Sequence, residues 1–169
     1  LALVEVVLDT LEGAHSRPRE KVLAHSSTPE GSAGAPGFEV HAWSLGLVVK
    51  SLDAVVETLG QGAPLAVRAQ RLLDTEVAFL RSSLWDGSGG YRDAWLCDTP
   101  DAAQGCEPPT LIGQLGALRA LLVAHRRTAS PVDEIRSAIL SFDTRFWDPA
   151  AEMYVATLDR LTWCMTPLD

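Results

Sequence analysis

Two stretches of this sequence carry residue types that can do chemistry. In the first, Glu39, His41 and Trp43 stand at alternate positions. A carboxylate and an imidazole so close in the chain can act as a general acid/base pair, and an indole is a flat platform on which a sugar ring stacks. The same residues have a plainer reading: a first-turn glutamate that complements a helix dipole, a satisfied histidine and a core tryptophan. The second stretch, residues 91–114, is long for a connection in a compact domain, and such connections are functional or mobile. It holds Tyr91, Arg92, Asp93, Trp95, Asp98, Asp101, Glu107 and Gln114, a carboxylate-rich, aromatic-bearing set of the kind carbohydrate sites use. Paired carboxylates serve as acid and base in glycoside chemistry. On that reading Glu39, His41 and Glu107 are catalytic and Trp43, Tyr91, Trp95, Asp98 and Gln114 contact the substrate. The plainer alternative makes Asp98-Thr99-Pro100-Asp101 an ordinary turn and Glu107 a solvated charge.

Several chemistries find no support. The four histidines, His15, His25, His41 and His125, lack metal-ligand spacing, and the three cysteines form no CxxC, so no metal is expected. Cys97 and Cys106 flank one loop; they close it as a disulfide if the protein is extracytoplasmic, or remain two buried thiols. P-loop, GxGxxG, GxSxG and HExxH strings are absent, and no cofactor is implied. A net charge of −8 and a pI near 4.9 argue against a nucleic-acid or anionic-membrane partner. No apolar run reaches membrane-spanning length, and the apolar start of the chain is broken by Glu5 and Asp9. The location leans periplasmic or secreted. The chain starts without Met inside a helical pattern, which reads as a processed protein or a fragment. Its end, with Trp163, Cys164 and Met165 side by side, is expected to dock on something.

The elements that must position these residues read as five helices in an all-α fold with long loops. The hydrophobic fraction of 47% suits a packed core, and 169 residues suit one domain. Residues 1–12 form the first helix, closed by Gly13, and a helical turn is expected at 20–24 within a Ser/Gly/Pro-rich loop. Residues 39–59 form the second, with Lys50, Asp53 and Glu57 on a polar face and Gly60 as the stop. The third, opened by Pro64, runs to 84 and is amphipathic, with Ala78 among its inward residues. The fourth runs from a Thr110 N-cap to 126 and reads as buried. Its small residues Gly113, Gly116, Ala117, Ala120 and Ala124 let a neighbouring helix approach closely. The fifth has Ser130 at its N-cap, Pro131 next, and ends at Phe146. Short hairpins are expected at Gly89-Gly90-Tyr91 and Met153-Tyr154.

Two of these helices end alike. Leu84-Trp85-Asp86 leads to Tyr91, and Phe146-Trp147-Asp148 leads to Tyr154, with a period of 62 residues between the tryptophans. The tryptophan is expected to plug the end of a helix pair and the aspartate to bond turn donors. Hairpin units fall at about 39–109 and 110–154. With its alternation of buried and peripheral helices, this pattern resembles the α/α-toroid proteins, in particular the N-acylglucosamine 2-epimerase-like and six-hairpin glycosidase-like groups. The second copy departs from the family string, carrying Ala151 and Glu152 where glycines are usual. The resemblance implies inner helices lining a cavity, with ligands at the loops that enter them. It also implies that a chain of two to three hairpins is a partial ring or part of a larger toroid. Two functions follow as expectations. One is a carbohydrate-directed domain that takes a glycan or other small molecule, by binding or by epimerase- or hydrolase-type acid/base chemistry. The other is a non-catalytic helical subunit or accessory domain that packs against a protein partner or the remainder of a larger chain.

Overall fold

The computed structural model describes residues 1–17, 22–23, 26–27, 38–96, 109–128 and 132–155. It is mostly helical, as the periodicity predicts. Helix α1 (Ala2–Thr10) continues into a π-helical turn, Leu11–His15, so Gly13 lies inside that turn and does not close the helix. Strands β1 (Ser16–Arg17) and β2 (Val22–Leu23) pair antiparallel after it. Val22 and Leu23, assigned by sequence to a helical turn, are thus extended. Both are buried, and the Leu23 amide donates to Glu76 Oε1 at 2.7 Å, a bond that a local helix would not offer. Strands β3 (Ser26–Ser27), β4 (Phe38–His41) and β5 (Ala94–Leu96) form a small antiparallel sheet in that order.

Helix α2 (Ala42–Leu59) begins three residues later than its periodicity suggests, because residues 38–41 are paired in β4 and His41 is extended (φ −107°, ψ 135°). It stops at Gly60, whose φ of 80° suits a residue without Cβ. Helix α3 (Pro64–Phe79) runs into a second π-helical turn, Leu80–Leu84. Helix α4 (Leu111–Thr128) is followed by α5 (Val132–Phe146), and β6 (Trp147–Asp148) and β7 (Met153–Tyr154) make the closing hairpin. The Ser130 cap and the docked tail at 161–169 lie outside the described residues.

Helices α2 and α4 make the most extensive helix contact, and each also packs against the helix that follows it. At their crossing the two backbones touch. A Cβ added at Gly46 or at Gly116 would come within 3.0 Å of backbone atoms of the other helix, closer than real Cβ atoms approach. The small-residue stripe therefore does what its composition predicts: Gly113, Gly116, Ala117, Ala120 and Ala124 are all buried. The price is a corrected view of the large residues of α4. Ile112, Leu115 and Leu122 are exposed, so α4 is buried along the small stripe and the adjoining Gln114, Leu121 and Val123, not all round. On α3, Ala78 is likewise outside the core, which instead takes Glu76.

Asp53 departs furthest from its expected place. It is fully buried on α2, and its carboxylate collects Lys50 Nζ (3.1 Å), Arg126 Nη2 and Arg127 Nε (2.8 Å), while Arg127 Nη2 also reaches the Asp53 carbonyl (2.9 Å). Burial opposes its ionisation, but hydrogen bonds from Lys50 and Arg127 and the charges of Arg126 and Arg127 prevail and hold its pKa below the ordinary value. An arginine pair at the end of α4 thus clamps a carboxylate on α2. On the outer side Arg68 bonds Asp9 and Glu12, and Arg71 bonds Glu12, tying α3 to the end of α1.

Gly116→Ala should force α2 and α4 apart and cost about 1–3 kcal/mol, the range of core overpacking. Thermal unfolding should show a drop in Tm, whereas Gly62→Ala, where an added Cβ meets nothing within 4 Å, should leave Tm within a degree or so.

Candidate functional site

The two chemistry-bearing stretches meet through backbone pairing. Glu39 lies opposite Leu96, Val40 opposite Trp95 and His41 opposite Ala94. Val40 is fully buried and anchors the strand. The sheet leads straight into α2, whose first amide, from Ala42, donates to the Asp93 carbonyl at 2.8 Å. The start of α4 is fastened to the same place. Thr110 Oγ1 donates to Asp93 Oδ1 at 2.6 Å and accepts the Gly113 amide at 3.1 Å, which makes Thr110 the N-cap its position predicts. Beside Asp93 there is no room for a Cβ at residue 113. The N-terminal ends of α2 and α4 and the strands β4 and β5 therefore form one rim.

On this rim His41 is half-buried, and Trp43, in the first turn of α2, is 41% exposed, not in the core. Beneath it lie Tyr91 and Gln114, both nearly inaccessible. The Gln114 side-chain amide is engaged on both its atoms by the backbone of one residue: Oε1 accepts the Tyr91 amide at 3.0 Å and Nε2 donates to the Tyr91 carbonyl. Gln114 thus imitates a strand neighbour and fixes the chain leading to β5. The Tyr91 hydroxyl is pushed well above its ordinary pKa, first by burial and then by the Glu134 carboxylate. Glu134 itself is held in a forked pair by Arg81 Nε (2.9 Å) and Nη2 (2.7 Å). Asp98, Glu107 and the Cys97/Cys106 pair lie outside the described residues. Among the described residues no group of three or more His, Cys, Asp or Glu is placed to hold a metal ion.

Two concavities stand out, and neither is lined by His41, Trp43, Tyr91 or Gln114. The larger, about 1220 Å³, lies between α3, the β1–β2 hairpin and the far ends of α2 and α4. The smaller, about 360 Å³, is an apolar groove between α1 and α2.

The repeated turns are built as the sequence predicts for aspartate and otherwise for tryptophan. Trp85 bridges to Tyr91, and Trp147 pairs with Tyr154. Asp86 Oδ1 accepts the amides of Ser88 (2.8 Å) and Gly90 (3.1 Å); Asp148 Oδ1 accepts those of Ala150 (2.8 Å) and Ala151 (3.2 Å). In both, the amide after the tyrosine returns to the residue before the tryptophan: Arg92 to Leu84 (2.7 Å) and Val155 to Phe146 (2.8 Å). Both tryptophans are largely exposed; Leu84 and Phe146, fully buried, plug the helix ends instead. The β1–β2 pair after α1 has the register spacing of the last one, with Ser16 opposite Leu23 as Trp147 is opposite Tyr154, although it shares neither aromatic.

Asp86 also takes Arg145 Nη1 at 2.5 Å from the end of α5. Burial raises its pKa, but Arg145 and the Ser88 amide outweigh it, and the carboxyl stays below its ordinary value. Its stabilisation is therefore complete above the unfolded carboxylate value of about 3.9 and is lost as pH falls through the lower folded value. Asp86→Asn should cost about 1–3 kcal/mol at neutral pH. In melts taken from pH 5 downward, the variant should lose less stability to acid than the parent, and an equal acid loss would refute the assignment. No protein-family model, curated protein or solved structure matches this chain.

Proposed function

We propose that the chain is a non-catalytic unit of a helical-hairpin array of the α/α-toroid kind, with α2 and α4 as inner helices, and that it packs its Trp-Asp turn end against a further hairpin on a partner chain. What supports this reading is the contrast between two equivalent turns. Tyr91 is 3% exposed, covered by the next inner helix through Gln114 and by the next outer helix through Glu134. Tyr154, at the same place in the following turn, is 41% exposed beside exposed Trp147 and Met153. Its ring rests on Phe142 (5.0 Å) and Trp147 (5.1 Å), and its hydroxyl donates to Asp143 at 2.6 Å. In repeat architectures each unit is stabilised by its neighbour, and a large apolar patch on a unit marks an interface. A chimera that repeats residues 93–155 once after Val155 should melt higher than the parent in a single transition, with Trp147 emission shifted to the blue. An unchanged or split melting transition would overturn the reading.

The second reading, a carbohydrate site at the rim, is favoured by the β4–β5 pairing, which draws residues 39–43 and 94–96 together. There Trp43 would be the stacking platform and Glu39 and His41 the acid/base pair. Binding to a glycan array should be lost in Trp43→Ala and weakened in His41→Ala. Binding unchanged in both variants would sink it.

A further inference from the structure

The three outer helices are not treated alike. α3 packs on α2, and α5 packs on α4. α1 is tied into the outer layer by the Arg68 and Arg71 pairs with Asp9 and Glu12, yet among the described residues no inner helix belongs to it. What lies beside it is the apolar groove. One wall is Leu3, Val4, Val7, Leu8 and Leu11; the other is Leu47, Val48, Ser51, Leu52 and Val55. The two walls share one spacing along their helices, so each offers a matching stripe of about 12 Å at 1.5 Å per residue. The one polar member, Ser51, donates to the Leu47 carbonyl at 2.9 Å and makes no demand on an occupant. Leu3, Val7 and Leu47 are each more than two-fifths exposed, which is costly for a surface facing water.

From this we infer that the α1/α2 groove receives one amphipathic helix of a partner protein, lying along α1 in the relation that α2 bears to α3. The inference rests on the array reading. The groove accepts an apolar face with anchors at i, i+3, i+4 and i+7 over about two turns. Electrostatics sets the rest of the occupant. The chain carries a net charge of −8, and Glu5 stands exposed on α1, where Asp9 is already paired with Arg68. A helix with a basic outer face is attracted, while a second copy of this chain is repelled.

The test uses the whole chain and a Leu/Lys amphipathic 18-residue peptide as probe. Fluorescence anisotropy should report saturable one-to-one binding, at least tenfold tighter than for a scrambled peptide of the same composition. The double variant V7Q/L47Q, altered only at exposed positions, should keep its circular dichroism and Tm and weaken binding at least tenfold. Equal binding of the scrambled peptide, or binding untouched by V7Q/L47Q, would overturn the proposal in favour of general charge attraction. Absence of saturable binding would overturn it too. So would self-association in sedimentation that V7Q/L47Q abolishes, which makes a second copy the occupant. None of these substitutions touches the Trp147–Tyr154 end, so the array reading stands or falls separately on the melting of the chimera.

Discussion

Where α2 crosses α4, a glycine meets a glycine. Gly46 and Gly116 let the backbones of α2 and α4 touch, and the rest of the arrangement inherits its dimensions from that contact. With no side chain between them, dispersion contacts run along the full crossing, lined by Ala42, Ala117 and Ala120. The approach brings the N-terminal ends of both helices against Asp93, whose carbonyl takes the first amide of α2 and whose carboxylate takes the cap of α4. Were the helices a side chain further apart, one loop residue could not serve both. The rim where β4 meets β5 is thus a consequence of helix packing more than of strand propensity.

The buried polar groups follow the same logic of sharing. Gln114 pairs with the backbone of Tyr91 on both its amide and its carbonyl, Asp86 gathers a turn and an arginine, and Glu76 receives the amide of Leu23. In each case a side chain accepts backbone amides that would otherwise be left without a partner away from water. Ion pairs at the exterior, such as Arg136 with Asp133, add little by comparison because water competes for both partners.

Much of this was legible in the chain. Period and caps locate the helices, the glycine-alanine stripe of α4 announces a close neighbour, and the repeated Trp-Asp strings announce equivalent turns. Other features were not. Residues 39–41 read as helix because their apolar spacing continues that of α2, and pairing with β3 on one side and the distant β5 on the other overrides it. Asp53 sits among Lys50 and Glu57 on what reads as a wet face, and its burial depends on two arginines supplied by another helix. The turn after α1 has no aromatic signature to betray it. Of the candidate site, the sequence places the two stretches ahead of α2 and α4, and their meeting at residues 39–41 and 94–96 comes from the strand pairing. That Gln114 serves a backbone could not be read, since an amide looks the same in sequence whether it faces a ligand or a peptide.

The Asp53 cluster has a bearing on how the chain finds its native arrangement. The glycine contact sets how close the helices come, and a shift of one turn would put Ile112 or Ala120 where Gly116 now meets α2. Arg126 and Arg127 are adjacent in sequence, and both must reach one sequestered carboxylate. Displaced by a turn, they would leave that carboxylate against Leu122 and Val123, with only Lys50 of its own helix to answer its charge. The cluster therefore acts as a second index mark, adding an electrostatic penalty to misaligned pairings of α2 and α4.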